Sequence, residues 1–194
     1  GTDQELFTLN NLISSFDLSR VSKSGAKFNL DKTNWFNQQY LQNKTNDELS
    51  KLYKIILKEK GLNSSYAFIN KVISLIKERA VFVKDFWSLS SYFFEAPSSY
   101  NEKASKKQWK ENTGELMKEA VSLISSIDDF SSSVIEEVIK KWITSKEIGF
   151  GKIMQPLRLA IVGDMKGPHL FDIIEMIGKK ETVIRIHKII NTLS

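Results

Sequence analysis

The 194-residue chain contains no cysteine. That excludes a disulfide framework, a thiolate-bound zinc and a cysteine nucleophile. With three prolines and nine glycines, it has little of the turn chemistry that a strand-rich fold or a disordered tail draws on. Only two histidines are present, His169 and His187. Neither belongs to a His-Glu-x-x-His or His-x-x-His pattern, so no histidine metal site is expected. No run of about 18 apolar residues occurs, so no membrane span is expected. The chain opens Gly1-Thr2-Asp3, with neither an initiator methionine nor a signal-peptide pattern. This reads as a processed or an artificially made end, which suits a fragment.

Catalytic motifs are equally scarce. No Gly-x-Ser-x-Gly elbow supports a Ser-His-Asp relay. Gly149-Phe150-Gly151 begins like a dinucleotide fingerprint, but Met154 stands where the third glycine belongs and no strand precedes it. Ser24-Gly25-Ala26-Lys27 ends like a phosphate loop, yet Arg20 replaces the first glycine and Phe28 the hydroxyl residue. Asp128-Asp129 and Glu136-Glu137 fall at helix ends and read as solvated faces and dipole partners, not a catalytic carboxylate pair. No catalytic residue and no metal ligand is expected in this chain.

What is present is ordinary globular material: 41% hydrophobic and 26% charged residues, with a net charge of +5. At this length about 70% of the unfolded surface can be buried. Basic residues gather in two stretches. Arg20, Lys23, Lys27 and Lys32 stand against Asp31, and Lys140, Lys141, Lys146, Lys152, Arg158 and Lys166 against Glu147 and Asp164. Two such stretches far apart in sequence suit a polyanionic partner touched in two places, or else a solvated surface.

Helical periodicity runs nearly end to end. Leu49, Leu52, Tyr53 and Ile56 form an apolar stripe, opened by a Thr45–Glu48 capping box and stopped by Gly61. Ile135, Val138, Ile139, Trp142 and Ile143 repeat it, with a Ser133–Glu136 capping box and a stop near Gly149. Leu116, Ala120, Leu123, Ile124 and Ile127 make a third stripe. Further helices are predicted over 8–16, 31–41, 64–79, 83–92, 102–112, 152–162, 168–177 and 180–192, with Pro168 in a first turn and glycines 163 and 178 at helix ends. The fold class is all-α: two consecutive helical bundle modules without significant sheet. The break in periodicity at Glu95-Ala96-Pro97-Ser98-Ser99 places the boundary between residues 1–97 and 98–194. The aromatics Phe82, Phe86, Trp87, Tyr92, Phe93 and Phe94, just before it, are expected to be mostly core or seam.

Three segments, in order, carry a resemblance. They are Arg20 to Asn37 (RVSKSGAKFNLDKTNWFN), Gln155-Pro156-Leu157-Arg158-Leu159-Ala160, and Gly167 to Lys180 (GPHLFDIIEMIGKK). The set closely resembles the C-terminal part of bacterial-type glutamyl-tRNA synthetases, from about residue 5 to the end. The resemblance implies a stem-contact module followed by an anticodon-binding module. It implies tRNA(Glu) as partner, with no DNA or membrane, a monomer, and a cytoplasmic location. The family's ATP and magnesium chemistry lies on an upstream domain with a HIGH-like sequence and a K-x-S-K loop. Val21-Ser22-Lys23-Ser24 mimics that loop from the wrong place. The parent would be an ATP-dependent ligase, and this piece alone would be inactive.

Residue by residue, the resemblance makes Arg79 the reader of the third anticodon base, against the alternative that it caps its own helix. It sets Arg158 against the first base. The turn with Gly167, Pro168, Leu170 and Phe171 surrounds the middle base, with Phe171 alternatively core. His169 stands where the family has a glycine. Lys23, Lys27, Lys140, Lys141 and Lys152 would hold phosphates. The competing reading is a helical protein-interaction scaffold with no enzymatic lineage.

Overall fold

A computed structural model describes residues 4–21, 24–25 and 27–193. Among them every regular element is helical, and no helix is long and apolar enough to cross a membrane. The chain forms two compact units. One comprises the residues up to Glu59 together with Asn63–Phe86, and the other Lys60–Leu62 with Trp87–Ser194. The division thus falls between Phe86 and Trp87, and Pro97 lies inside the second unit.

The first unit holds α1 (Leu9–Ser15), α2 (Leu30–Asn43), α3 (Asn46–Glu59) and α4 (Tyr66–Ile76). Its core is the pairing of α3 with α4, where Leu49, Tyr53 and Leu57 meet Ile69, Val72, Ile73 and Ile76, all at most 1% exposed. The Phe86 ring stands edge-on to Tyr53 at 5.4 Å between centroids. The Tyr53 hydroxyl donates to the Phe86 carbonyl at 3.3 Å. The buried face of α3 recurs every four residues, so Leu52, an expected stripe member, is left 38% exposed. The Thr45–Glu48 capping box is present in full: the Glu48 carboxylate accepts from the Thr45 N–H and hydroxyl, and the Glu48 N–H donates back to the Thr45 hydroxyl. These bonds hold the Glu48 carboxyl below the usual carboxylate range. The α1 helix buries none of its residues.

The α5 helix (Asp85–Ser90) spans the division, and a 3₁₀ turn, Ser91–Phe93, follows it. The second unit then holds α6 (Glu102–Gln108), α7 (Thr113–Ser126), α8 (Ser132–Ser145), α9 (Gly151–Val162), α10 (Leu170–Ile177) and α11 (Lys179–Leu193). Helix α11 packs on α7 and α9, α10 on α8, and α9 also on α6. Ala120, Ile124, Ile135, Ile139, Leu157 and Ile186 are fully buried among them. Of the aromatic run, Phe86 is core in the first unit and Tyr92 and Phe93 in the second, while Phe82 is 37% exposed.

The expected helix ends need three corrections. Ser133 lies inside α8, not at its cap: the first N–H of the helix, at Ser132, donates to the Glu175 carboxylate of α10 at 2.7 Å, and the Ser132 hydroxyl donates to Asp172 at 2.6 Å. Two acidic side chains from another helix therefore take the place of a local box, an arrangement that local spacing does not encode. After α8 the left-handed residue is Glu147 (φ 54°), not Gly149. Pro168 precedes α10, which begins at Leu170, so it belongs to the entry turn. The predicted helices over 64–79 and 83–92 each finish in a 3₁₀ turn, at Lys77–Arg79 and Ser91–Phe93.

Candidate nucleic-acid interface

In the first unit, α4 tightens into the 3₁₀ turn that ends at Arg79, and the Ala80 N–H closes it on the Lys77 carbonyl at 3.3 Å. The freed carbonyls do not wait for Arg79. Gln38 and Gln42 of α2 both donate to the Glu78 carbonyl, at 3.0 and 3.3 Å, and Asn37 donates to the Val81 carbonyl. Three amides on one face of α2, at spacings of one and four, thus pin the turn from one side. Ala80 is buried behind it. Arg79 is left exposed, and among the described residues its guanidinium makes no hydrogen bond, ion pair or ring contact. The Lys77 and Glu78 carbonyls thus already have other donors. A guanidinium held out on a rigid turn offers five N–H donors and a planar face.

In the second unit, α9 ends at Gly163 (φ 80°), whose N–H returns to the Leu159 carbonyl at 2.8 Å. A side chain there would be strained and crowded: a Cβ would stand 2.8 Å from the Pro97 Cβ and 2.9 Å from the Ser99 carbonyl oxygen. The chain turns back at Gly167 (φ 121°), another position that only glycine takes comfortably. A Cβ at 167 would lie 3.1 Å from the Tyr92 hydroxyl and 3.5 Å from an Arg158 nitrogen. Arg158, half-buried on α9, donates through Nη1 to the Pro168 carbonyl at 3.0 Å and to the Lys166 carbonyl at 3.4 Å. Its fork is spent on shaping the turn. Pro168 is buried, and Leu170 and Phe171 are 2% and 1% exposed. These three side chains anchor the turn from beneath, and its exposed residues are Lys166 and His169.

His169 is exposed at the turn's outer edge. Its Nε2 lies 3.5 Å from a Glu136 carboxylate oxygen, its Nδ1 lies 3.4 Å from Asp172, and its ring stands edge-on to Phe171 at 5.5 Å. It sits between two carboxylates on neighbouring helices.

The lysines differ among themselves. Lys23 lies outside the described residues. Lys27 is exposed beside Phe28 and Lys32. Lys140 and Lys141 are exposed on α8 and pair with Glu136 and Glu137 one turn earlier. Lys141 holds the Glu137 carboxyl below its usual range. Such exposed pairs add little to stability and exchange readily for another anion. Lys152, in the first turn of α9, is exposed close to Asn112, Glu115 and Glu119.

Sequence reasoning missed Gln38, Gln42, Tyr92 and Arg185. For Arg185 a signal existed: the buried stripe of α11 runs Thr182, Arg185, Ile186, Ile189, which sets a charged residue in an apolar phase. Its glutamate partner, Glu181, stands one helical turn earlier.

An all-helical molecule that holds one arginine outward on a pinned turn, and clamps a glycine turn with another, has the parts of a recognition module. The comparisons place it among known ones. The chain belongs to the anticodon binding domain family, whose model matches residues 36–190. It is 55% identical over 193 residues to the glutamate–tRNA ligase of Flavobacterium johnsoniae and 44% identical to that of Porphyromonas gingivalis, covering 100% of this chain in both cases. Among solved structures it is similar to a glutamate tRNA ligase from Elizabethkingia meningosepticum, with a TM-score of 0.93 and 46% identity over 98% of this chain. The glutamate–tRNA synthetase of Elizabethkingia anophelis superimposes with a TM-score of 0.86 at 44% identity. The chain spans 38% of the length of the first relatives it matches. A scaffold of unrelated lineage is not favoured.

Proposed function

We propose that this chain is the anticodon-reading part of a longer, cytoplasmic glutamate–tRNA ligase, and that it binds tRNA(Glu) as a monomer without itself making or breaking a bond. The match of the anticodon binding model across residues 36–190 carries this reading, and the geometry supplies its parts.

An A-form stem hides its base edges in a deep, narrow groove, so sequence is read in loops whose bases can be splayed out. The exposed Arg79 fork is suited to the edge or face of the third anticodon base. The Lys166–His169 turn, bent at Gly167 and anchored by the buried Pro168, Leu170 and Phe171, offers backbone to the middle base. Arg158, half-buried and committed to the Pro168 and Lys166 carbonyls, shapes the turn beside the first base. The exposed Lys27, Lys140, Lys141 and Lys152 supply phosphate contacts that add affinity without sequence information. Binding in this way orients the distant acceptor end for a reaction elsewhere in the longer protein.

Under this reading ATP and magnesium belong to that remainder. Among the described residues no group of three or more His, Asp or Glu is placed to hold a metal ion, and no step is assigned to this chain through either.

The test is binding of the chain to tRNA(Glu) and to variants changed at one anticodon base each, at several salt concentrations. Loss of affinity on base changes, with a steep salt dependence common to all RNAs, is expected. Equal affinity for every variant and for an unrelated tRNA would overturn the reading.

A further inference from the structure

Arg185 is the largest fully buried side chain of the molecule, at 1% exposure. Its Nε donates to the Glu181 carboxylate at 2.8 Å, one turn earlier on α11. Its Nη1 donates to two carbonyls from different stretches: Tyr92, in the 3₁₀ turn Ser91–Phe93, at 2.6 Å, and Ile161, in the last turn of α9, at 3.0 Å. A well-packed apolar residue would hold α11 at equal or lower free energy, because burying a guanidinium forfeits its hydration. An apolar residue could not donate to these two carbonyls, nor fix their spacing.

Both carbonyls lead to the same place. Tyr92 is buried with its hydroxyl donating to the Leu89 carbonyl at 2.7 Å, and that hydroxyl forms one wall of the space at Gly167. Ile161 is three residues beyond Arg158, whose guanidinium also lines that space and holds the Lys166 and Pro168 carbonyls. The buried cation therefore ties together the two segments whose side chains line the Gly167 turn, without reaching the surface itself.

We propose that Arg185 is a positioning residue for RNA recognition: by tying Tyr92 to the end of α9 it holds the Gly167 turn in the shape that discriminates anticodon bases. This rests on the function proposed above and adds a buried residue to it, one that touches no RNA. Discrimination is the property at stake because phosphate contacts made by exposed lysines do not depend on the shape of this turn, whereas a base pocket loses selectivity with small displacements.

The experiment uses Arg185→Lys in the 194-residue chain, which keeps the charge and removes the fork. The probes are the anticodon stem-loop RNA of tRNA(Glu) and the same RNA with one anticodon base changed, titrated at several salt concentrations. The expected result is a helical circular dichroism spectrum like that of the unaltered chain, a Kd for the cognate loop raised about tenfold, a cognate-to-variant ratio drawn toward one, and an unchanged salt slope. A folded variant with unaltered Kd and ratio, or one that loses affinity equally for every RNA, would overturn the proposal. Should Arg185→Lys fail to fold, Glu181→Gln loosens the bond that aims the Arg185 guanidinium while keeping Arg185 itself. A roughly threefold smaller ratio supports the same chain of contacts, and an unaltered ratio refutes it. If the unaltered chain shows no base preference at all, the functional reading itself fails and this inference with it. An unaltered chain that discriminates beside an Arg185→Lys that discriminates equally well condemns the inference alone.

Discussion

Arg79 and Arg158 are the same residue type in two unlike settings. Around Arg79 the first unit gives the Lys77 and Glu78 carbonyls other donors, Ala80, Gln38 and Gln42, and leaves the guanidinium exposed. Around Arg158 the second unit has a turn with carbonyls to spare, and the guanidinium is drawn in to hold them. A buried or half-buried polar backbone group takes a donor wherever one can reach. An arginine is thus offered to a partner where local bonding is complete and recruited as scaffold where it is not. The difference teaches that one residue type at two sites of one proposed function need not perform one job.

The comparison can be broken most sharply at the second turn. Gly163→Ala forces a Cβ against the Ser99 carbonyl and Pro97 at a left-handed φ. It should destabilise the chain by about 2–4 kcal/mol, read as a lower thermal midpoint. A midpoint equal to that of the unaltered chain would mean the end of α9 is far softer than drawn. Arg158→Ala removes the donor to two carbonyls and should cost about 1–3 kcal/mol of stability as well as RNA affinity. If it costs affinity alone, its turn bonds are incidental and it belongs with Arg79.

Arg79→Ala tests the other side. Its stability should stay within about 0.5 kcal/mol of the unaltered chain, while affinity for tRNA(Glu) falls by about 1–3 kcal/mol and preference at the third anticodon base relaxes. A drop in thermal stability without a change in base preference would return Arg79 to a structural role. Lys152→Ala should weaken all RNAs alike and lower the log–log salt slope by roughly one. Lys140→Ala should do less, since Glu136 already competes for its ammonium.

The smallest effect concerns acid. The Glu48 carboxyl is held below its usual range by Thr45, so its stabilisation is complete above the unfolded value, roughly pH 4, and fades as pH falls through the lower folded value. Glu48→Gln keeps the box's shape but not its charge, so its loss of thermal midpoint between neutral and acid pH should be the smaller of the two. An acid limb identical to that of the unaltered chain would show the box does not titrate with folding.

Much of this was legible in the chain itself, because helices advertise their buried faces at short range. The stripes of α7 and α8, the Thr45–Glu48 box and the glycine stops at 61, 163 and 178 all rest on residues within a few positions of each other. The segments around Arg158 and Gly167 were legible as a resemblance, and membership of the anticodon binding domain family agrees with it. The roles within that site were less so. Leu170, set around a base by the resemblance, and Phe171, set there or in the core, are both buried.

Sequence alone therefore determined the all-helical class, the approximate helices and the kind of protein, since periodicity, caps and motif order are local properties of a chain. Only the tertiary structure decided what caps α8, what fences Gly167, and which arginine is free. Those depend on donors and acceptors brought together from far apart, such as Glu175 with Ser132 at 43 residues and Arg185 with Tyr92 at 93. Their proximity follows from how the helices pack, and no spacing along the chain records it.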